Sequence, residues 1–276
     1  MTQQYPIGVF DSGVGGLSVL RHLRAQLPAE QFIYLADQGH VPYGSRSAQE
    51  IVQFSQGITQ FFQQLKAKAI VIACNTASAA ALSLLRQQFA VPFVGMEPAV
   101  KPAAQQTQSG KVGILATGGT FASDRYAQLT AKYAQGVAVW EDPCLGLVTE
   151  IEAGRLDSPA VHQILQRALA PMLAAGVDTI VLGCTHYPFV LPVVEAIVGT
   201  AVPIIDPAPA VARQTGVVLH KNSLLADASQ VGHVRFITTG PAEPYAQQIE
   251  QLLGVDGVVV ETAVWIGNRL SVNGNP

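Results

Sequence analysis

IVIACNTAS at 70–78 and IVLGCTHYP at 180–188 decide the fold reading. Each is a short β-branched apolar run that breaks at a cysteine into polar, helix-opening residues. Further runs of the first kind are IGVF at 7–10, FIYLA at 32–36, VGILA at 112–116 and TIVLG at 179–183. Between them lie stretches such as SAQEIVQFSQGITQFFQQL, with apolar residues at helical spacing. Continuous apolar strands alternating with helices predict an α/β fold of mostly parallel sheet flanked by helices.

The two cysteine segments also belong to a repeat. IGVFDSG at 7–13 aligns with VGILATG at 112–118, and VPFVGMEPA from 91 with VPIIDPAPA from 202. With the cysteine pair, the offsets are 105, 110 and 111, in the same order along the chain. Buried strands resemble one another in any parallel sheet, but ordered pairs at matched offsets point to duplication. The expectation is two pseudosymmetric α/β domains with the active site in the cleft between them. Pro-containing linkers near 97–102 and 206–209 place residues 1–98 plus 209–276 in the first domain and 99–208 in the second. SVNGNP at 271–276 reads as a frayed tail.

The chain has 276 residues, 49% hydrophobic and 13% charged, with a net charge of -3. This disfavours disorder, and sixteen scattered Lys and Arg leave no basic face for nucleic acid. No run of about 20 apolar residues suggests a membrane span. MTQQYP lacks the basic start of a signal peptide, so a cytoplasmic protein is expected. Cys74, Cys144 and Cys184 are too few and too widely spaced for a disulfide framework, and none forms a CxxC pair. Free thiols and no bound metal are expected.

Ligands of parallel sheets bind beyond the carboxyl ends of strands, and those positions are polar here. They hold Asp11-Ser12-Gly13, Asp37, Cys74-Asn75-Thr76 and Cys184-Thr185-His186. A cysteine at a strand-to-helix turn meets free N–H groups and positive partial charge, which favour thiolate and hold a carboxylate. The neutral donors Ser12, Asn75, Thr76 and Thr185 suit a small zwitterion. A lone buried cysteine is ordinarily a small hydrophobe. Two at repeat-equivalent positions could approach a ligand from opposite sides, as inversion at carbon requires, and an amino-acid racemase without a cofactor follows.

Asp11 either orients an ammonium group or assists the nearer thiol, or serves as an N-cap-like turn carboxylate in its loop. His186 either shares a proton with Cys184 or is a core histidine. Glu152 in LVTEIEAG reads locally as a surface carboxylate, and Cys144 as structural. Gly13-x-Gly15 with Asp37 imitates a dinucleotide fingerprint, but Ser18 replaces the third glycine. No lysine stands at a strand end for pyridoxal chemistry. A two-lobed small-molecule binding protein is the alternative of another class.

The motifs FDSGVGGLSVL, Tyr34 through VPYGS, ACNTAS, GCTHYP and IIDPA together resemble the glutamate racemase family. The resemblance spans about residues 5–242, and aspartate racemases are the rival within the same superfamily. It implies Cys74 as the base toward D-glutamate supported by Asp11, and Cys184 as the base toward L-glutamate supported by His186 and Glu152. It implies Asp11, Ser12, Tyr43, Gly44, Asn75, Thr76, Thr185 and His186 as substrate contacts, with Thr117 and Thr120 lining the second half. It also implies a role in supplying D-glutamate for peptidoglycan. A homodimer is the one assembly entertained. Departures from the family pattern are Ala36 and Gln38 beside Asp37, Pro241 after Thr239-Gly240, and Leu145 after Cys144.

Overall fold

The computed structural model describes residues 2–272. The apolar runs become strands, buried because helices cover the sheets and leave no solvent side to alternate toward. The first hundred residues give β1 (Ile7–Asp11), β2 (Phe32–Ala36), β3 (Ala69–Ile72) and β4 (Phe93–Gly95). The next hundred give β5 (Lys111–Leu115), β6 (Ala138–Asp142), β7 (Thr179–Leu182) and β8 (Ile204–Ile205). The remainder gives β9 (Val234–Thr238), β10 (Val260–Ile266) and β11 (Arg269–Val272).

Two compact units result, one running through Met96 and resuming at Ala208, the other Glu97–Pro207. The first holds a seven-stranded sheet ordered β11-β10-β9-β2-β1-β3-β4, the second a four-stranded sheet ordered β6-β5-β7-β8. Among the described residues every pairing is parallel except β10 with β11. The run β2-β1-β3-β4 and the whole of β6-β5-β7-β8 are the same order, so the sequence repeat is a repeat of topology. IGVF and VGILA supply equivalent strands β1 and β5, and the cysteine segments supply β3 and β7.

Helix starts follow local chemistry. Ser47 accepts the Glu50 N–H while the Glu50 carboxylate accepts the Ser47 N–H, a reciprocal cap that opens Ala48–Gln64. That helix buries Ile51, Ile58, Phe61 and Phe62 against Phe10, Ile70 and Ile72 of the sheet. A side chain of this size contributes about 1.5–3 kcal/mol when fully buried. Val112, Ile114, Tyr126, Leu129 and Val181 form a core in the second unit.

The end of the chain departs from expectation. Ser271 and Val272 pair with Val264 and Ala263 in β11 rather than fraying. The signal is Gly267-Asn268, a two-residue hairpin turn with Gly267 at φ +58°, which a residue with a side chain rarely adopts. Residues 273–276 of the expected tail lie outside the described residues. Among the described residues no helix is long and apolar enough to cross a membrane.

Candidate active-site residues

In the first unit the sheet register brings three chemical groups to adjacent strand ends. Asp11 ends β1 opposite Ala36 of β2, the Asp37 N–H donates to the Asp11 carbonyl at 3.0 Å, and the Ala73 N–H donates to the Phe10 carbonyl at 2.8 Å. Asp11, Asp37 and Cys74 therefore leave neighbouring strands on the carboxyl side, where α/β sheets place their ligands. Asp11 is the last residue of β1 rather than a loop residue, because its backbone still belongs to the β1–β2 ladder. Its buried carboxylate accepts the Gly13 N–H at 2.8 Å and the Ser12 hydroxyl at 3.5 Å. The following turn is packed so tightly that a Cβ on Gly16 would lie 2.7 Å from both Asp11 Cβ and the Tyr34 hydroxyl oxygen.

Cys74 is the N-cap of helix Asn75–Gln88, and its Sγ accepts the Ala77 N–H at 3.5 Å. The sulfur thus faces a donor and the positive end of the helix dipole. Asn75, 3% exposed, has no hydrogen-bond partner for either amide atom among the described residues. A buried amide left so costs about 1–3 kcal/mol, and a polar ligand beside Cys74 relieves that cost. Thr76 and Ser12 are buried next to these groups in sequence, and Gly44 is half-buried.

Tyr43 begins a single 3-10 turn, Tyr43–Ser45, and its hydroxyl donates to Asp37 Oδ2 at 2.6 Å. Burial pushes the phenol well up, and the negative charge of Asp37, Cys74 and Asp11 adds to it. Tyr43 therefore stays protonated, a neutral donor in electrostatic reach of the cysteine.

Asp37 receives four donors. Oδ2 accepts Tyr43 and pairs with His40 Nδ1 at 2.9 Å; Oδ1 accepts Thr239 Oγ1 at 2.7 Å and Trp265 Nε1 at 2.8 Å. Burial raises its pKa, but the bonds from His40, Tyr43 and Trp265 outweigh that and hold it below its usual value. The dinucleotide alternative is thereby removed: Asp37 is sealed by its own donors, and the Gly13 N–H is taken by Asp11. Sequence reading missed Thr239 and Trp265, which join Asp37 across 202 and 228 residues.

In the second unit Cys184 follows β7 after Gly183, where a Cβ would lie 2.9 Å from Ala116 Cβ and the Leu115 carbonyl oxygen. It does not open an α-helix. A 3-10 turn, Tyr187–Val190, comes first and the helix Leu191–Val198 later, since Pro188 brings no N–H to an α-helical ladder. The helix-end argument therefore applies to Cys74 and not to Cys184.

What Cys184 has instead is an imidazole. His186 Nδ1 lies 3.7 Å from Cys184 Sγ, and Nε2 lies 2.5 Å from Glu152 Oε1. Burial opposes the charged ring, yet the hydrogen bonds to Cys184 and Glu152 and their negative charge raise His186 well above its ordinary value. Glu152 ends helix Leu147–Glu152 with its side chain only 13% exposed, so it is not the surface carboxylate its local sequence suggested. Thr185 is buried between Cys184 and His186 in sequence.

Thr117 caps the short helix Gly118–Phe121, its hydroxyl 3.1 Å from that of Thr120, which is fully buried. Cys144 sits at φ +44°, and its N–H donates to Asp142 Oδ1 at 2.7 Å. Burial first and the Asp142 charge second push its thiol well up, which suits a protonated structural cysteine. Among the described residues no group of three or more His, Cys, Asp and Glu side chains is arranged to hold a metal.

Residues 7–215 match the Asp/Glu/Hydantoin racemase family. The glutamate racemase of Pseudomonas paraeruginosa is 49% identical over 251 residues, 91% of this chain and 93% of that one. The Pseudomonas putida glutamate racemase is 52% identical over 239 residues, 86% and 90% of the two chains. A solved Bacillus anthracis glutamate racemase superposes with a TM-score of 0.86 at 33% identity, covering 97% of this chain and 99% of that one. The Escherichia coli glutamate racemase, solved with L-glutamate and the activator UDP-MurNAc-ala, gives 0.81 at 32% identity and covers 98% and 100%.

An α/β fold with thiols after equivalent strands, so matched, defines an amino-acid racemase. The chain belongs to the Asp/Glu/Hydantoin racemase family.

Proposed function

We propose that this racemase interconverts L- and D-glutamate without a cofactor, with Cys74 and Cys184 as its two proton-transfer groups, and supplies D-glutamate for peptidoglycan. The observation that carries the reading is the Cys184–His186–Glu152 chain, at 3.7 and 2.5 Å, in a unit whose strand order repeats that around Cys74. Further support comes from relatives: the Francisella tularensis glutamate racemase was solved with D-glutamate and the Escherichia coli one with L-glutamate.

In one direction the Cys184 thiolate takes the α-proton of L-glutamate, leaving a carbanion, and the Cys74 thiol donates its proton to the other face. The reverse direction exchanges the roles, so the net reaction moves no electrons and needs no co-reactant. The carbanion is the difficulty, and preorganised donors rather than solvent must stabilise it. Asn75 offers such a donor without adding charge, and the phenol oxygen of Tyr43, its hydrogen bond given to Asp37, is left as an acceptor for the substrate ammonium. Ser12, Gly44, Thr76, Thr117, Thr120 and Thr185 complete the substrate contacts. Asp11 supports Cys74; the His186 imidazolium, held by Glu152, stands beside the sulfur of Cys184.

Proton NMR in deuterated buffer tests this with L- and D-glutamate supplied separately to wild type, Cys74→Ala and Cys184→Ala. Wild type should lose the α-proton signal and form the other enantiomer, and both variants should lose inversion. Exchange with aspartate but not glutamate would overturn the substrate and keep the chemistry. Inversion surviving in either variant would overturn the two-thiol mechanism.

A further inference from the structure

The family match ends at residue 215, yet a side chain 50 residues beyond it reaches the acid that holds Tyr43. Trp265 lies on β10, in the hairpin that closes the seven-stranded sheet. Its indole N–H donates to Asp37 Oδ1, while Tyr43 donates to Oδ2 of the same carboxylate. The two oxygens divide the work. One is held by residues after β8, Thr239 and Trp265; the other holds the segment 40–43 through His40 and Tyr43.

The ring is held as firmly as the N–H. It packs edge-on to His40, with centroids 5.4 Å apart, and tilted on Phe54 at 5.9 Å; His40 itself stacks on Phe54 at 3.9 Å. Beneath it lies Gly57, in the middle of helix Ala48–Gln64, where a Cβ would stand 2.5 Å from Trp265 Cζ3. A glycine inside a helix costs about 1 kcal/mol relative to alanine. Its presence under the indole matches the close approach of ring and helix.

We infer that Trp265 is a positioning residue for racemisation, acting through Asp37 to fix the phenol of Tyr43 against the substrate. The inference rests on the reading of Tyr43 as a substrate contact. A phenol oxygen set at the wrong angle to accept from the substrate weakens ground-state and transition-state binding together, which raises KM and spares kcat.

The test compares Trp265→Phe, Tyr43→Phe and the double variant by glutamate kinetics in both directions, with circular dichroism to check folding. Trp265→Phe removes the N–H and keeps an aromatic ring, though a smaller one. The expected result is KM raised about 3–10-fold with kcat within about two-fold, about 0.6–1.4 kcal/mol at 1.36 kcal/mol per ten-fold. The double variant should be no worse than Tyr43→Phe alone, because both act through one contact. If Trp265→Phe does not fold, Gly57→Ala supplies the same measurement, displacing the ring and its N–H while leaving every other donor to Asp37 in place. Additive effects, or KM unchanged in the Trp265 variant while Tyr43→Phe raises it, would overturn this inference alone. KM unchanged in Tyr43→Phe would overturn the reading of Tyr43 and the inference with it.

Discussion

At the scale of single residues, the two thiols have different helpers, and the reaction should therefore respond asymmetrically to pH. His186 is held above its ordinary pKa by Cys184 and Glu152 against the effect of burial. Glu152→Gln removes one of the two groups that stabilise the imidazolium, so the cation is lost at lower pH. The alkaline limb of kcat for L-glutamate should move to lower pH, with a smaller change for D-glutamate, while kcat/KM stays equal in the two directions because enantiomers have equal free energy. Equal movement in both directions would detach His186 from Cys184. Replacing either thiol by alanine should cost at least the 10²–10⁴-fold that general acid–base groups contribute. The cysteines were legible because each interrupts an apolar run at a matched offset. Glu152 was legible only through the family resemblance, since its contact with His186 lies 34 residues away and no local pattern encodes it.

At the scale of elements, the turn after β1 positions Asp11, and Gly16 limits how far it can move. Gly16→Ala puts a Cβ 2.7 Å from Asp11 Cβ and 3.0 Å from Ala73 Cβ, overpacking worth about 1–3 kcal/mol. Thermal unfolding should fall by about 2–4 °C per kcal/mol, and kcat should fall as well, because the displaced atoms adjoin Asp11 and Cys74. A melting point lower by that amount with kcat intact would separate packing from catalysis. Strands buried on both faces were readable as apolar runs in β1, β2, β3, β5 and β7. β6 was not, for AVWED is an edge strand, half-exposed and exposed along its length. β10 and β11 were missed for a related reason: VETAVWI is half-exposed or exposed at every position but Ala263, and Gly267-Asn268 carried the hairpin signal unread. The helix expected at Cys184 failed on Pro188, which was visible in the sequence.

At the scale of the whole molecule, acid should destabilise through carboxylates in both units. Asp37 in the first unit and Asp178 in the second are both held below their ordinary pKa of 3.8. Burial opposes ionisation in each; His40, Tyr43 and Trp265 overcome it for Asp37, and Thr107, Ser109 and Gln108 for Asp178. The stability these groups contribute is fully present above the unfolded value and is lost as pH falls through the folded one. Urea unfolding should thus be nearly flat in pH above about 5 and weaken below about 4. Asp37→Asn should cost about 3–5 kcal/mol near neutral pH and flatten the acid limb, since four donors lose a charged acceptor. A limb unchanged in that variant would show that Asp37 carries no net stabilisation.

The place of β9 in the first sheet bears on how the chain is made. β9 pairs with β2, so the last parallel partner of a strand near the N-terminus is synthesised some 200 residues after it. At ordinary elongation rates of about 5–20 residues per second, β2 leaves the ribosome about 10–40 s before that partner. During that interval the nascent sheet ends in an unpaired edge of FIYLA, an apolar segment apt to recruit another chain. Glu97–Pro207, being one continuous stretch, has no such delay. Chains cut short before residue 234 should accumulate as insoluble protein that binds holdase chaperones, even though every residue assigned to the chemistry has already been translated.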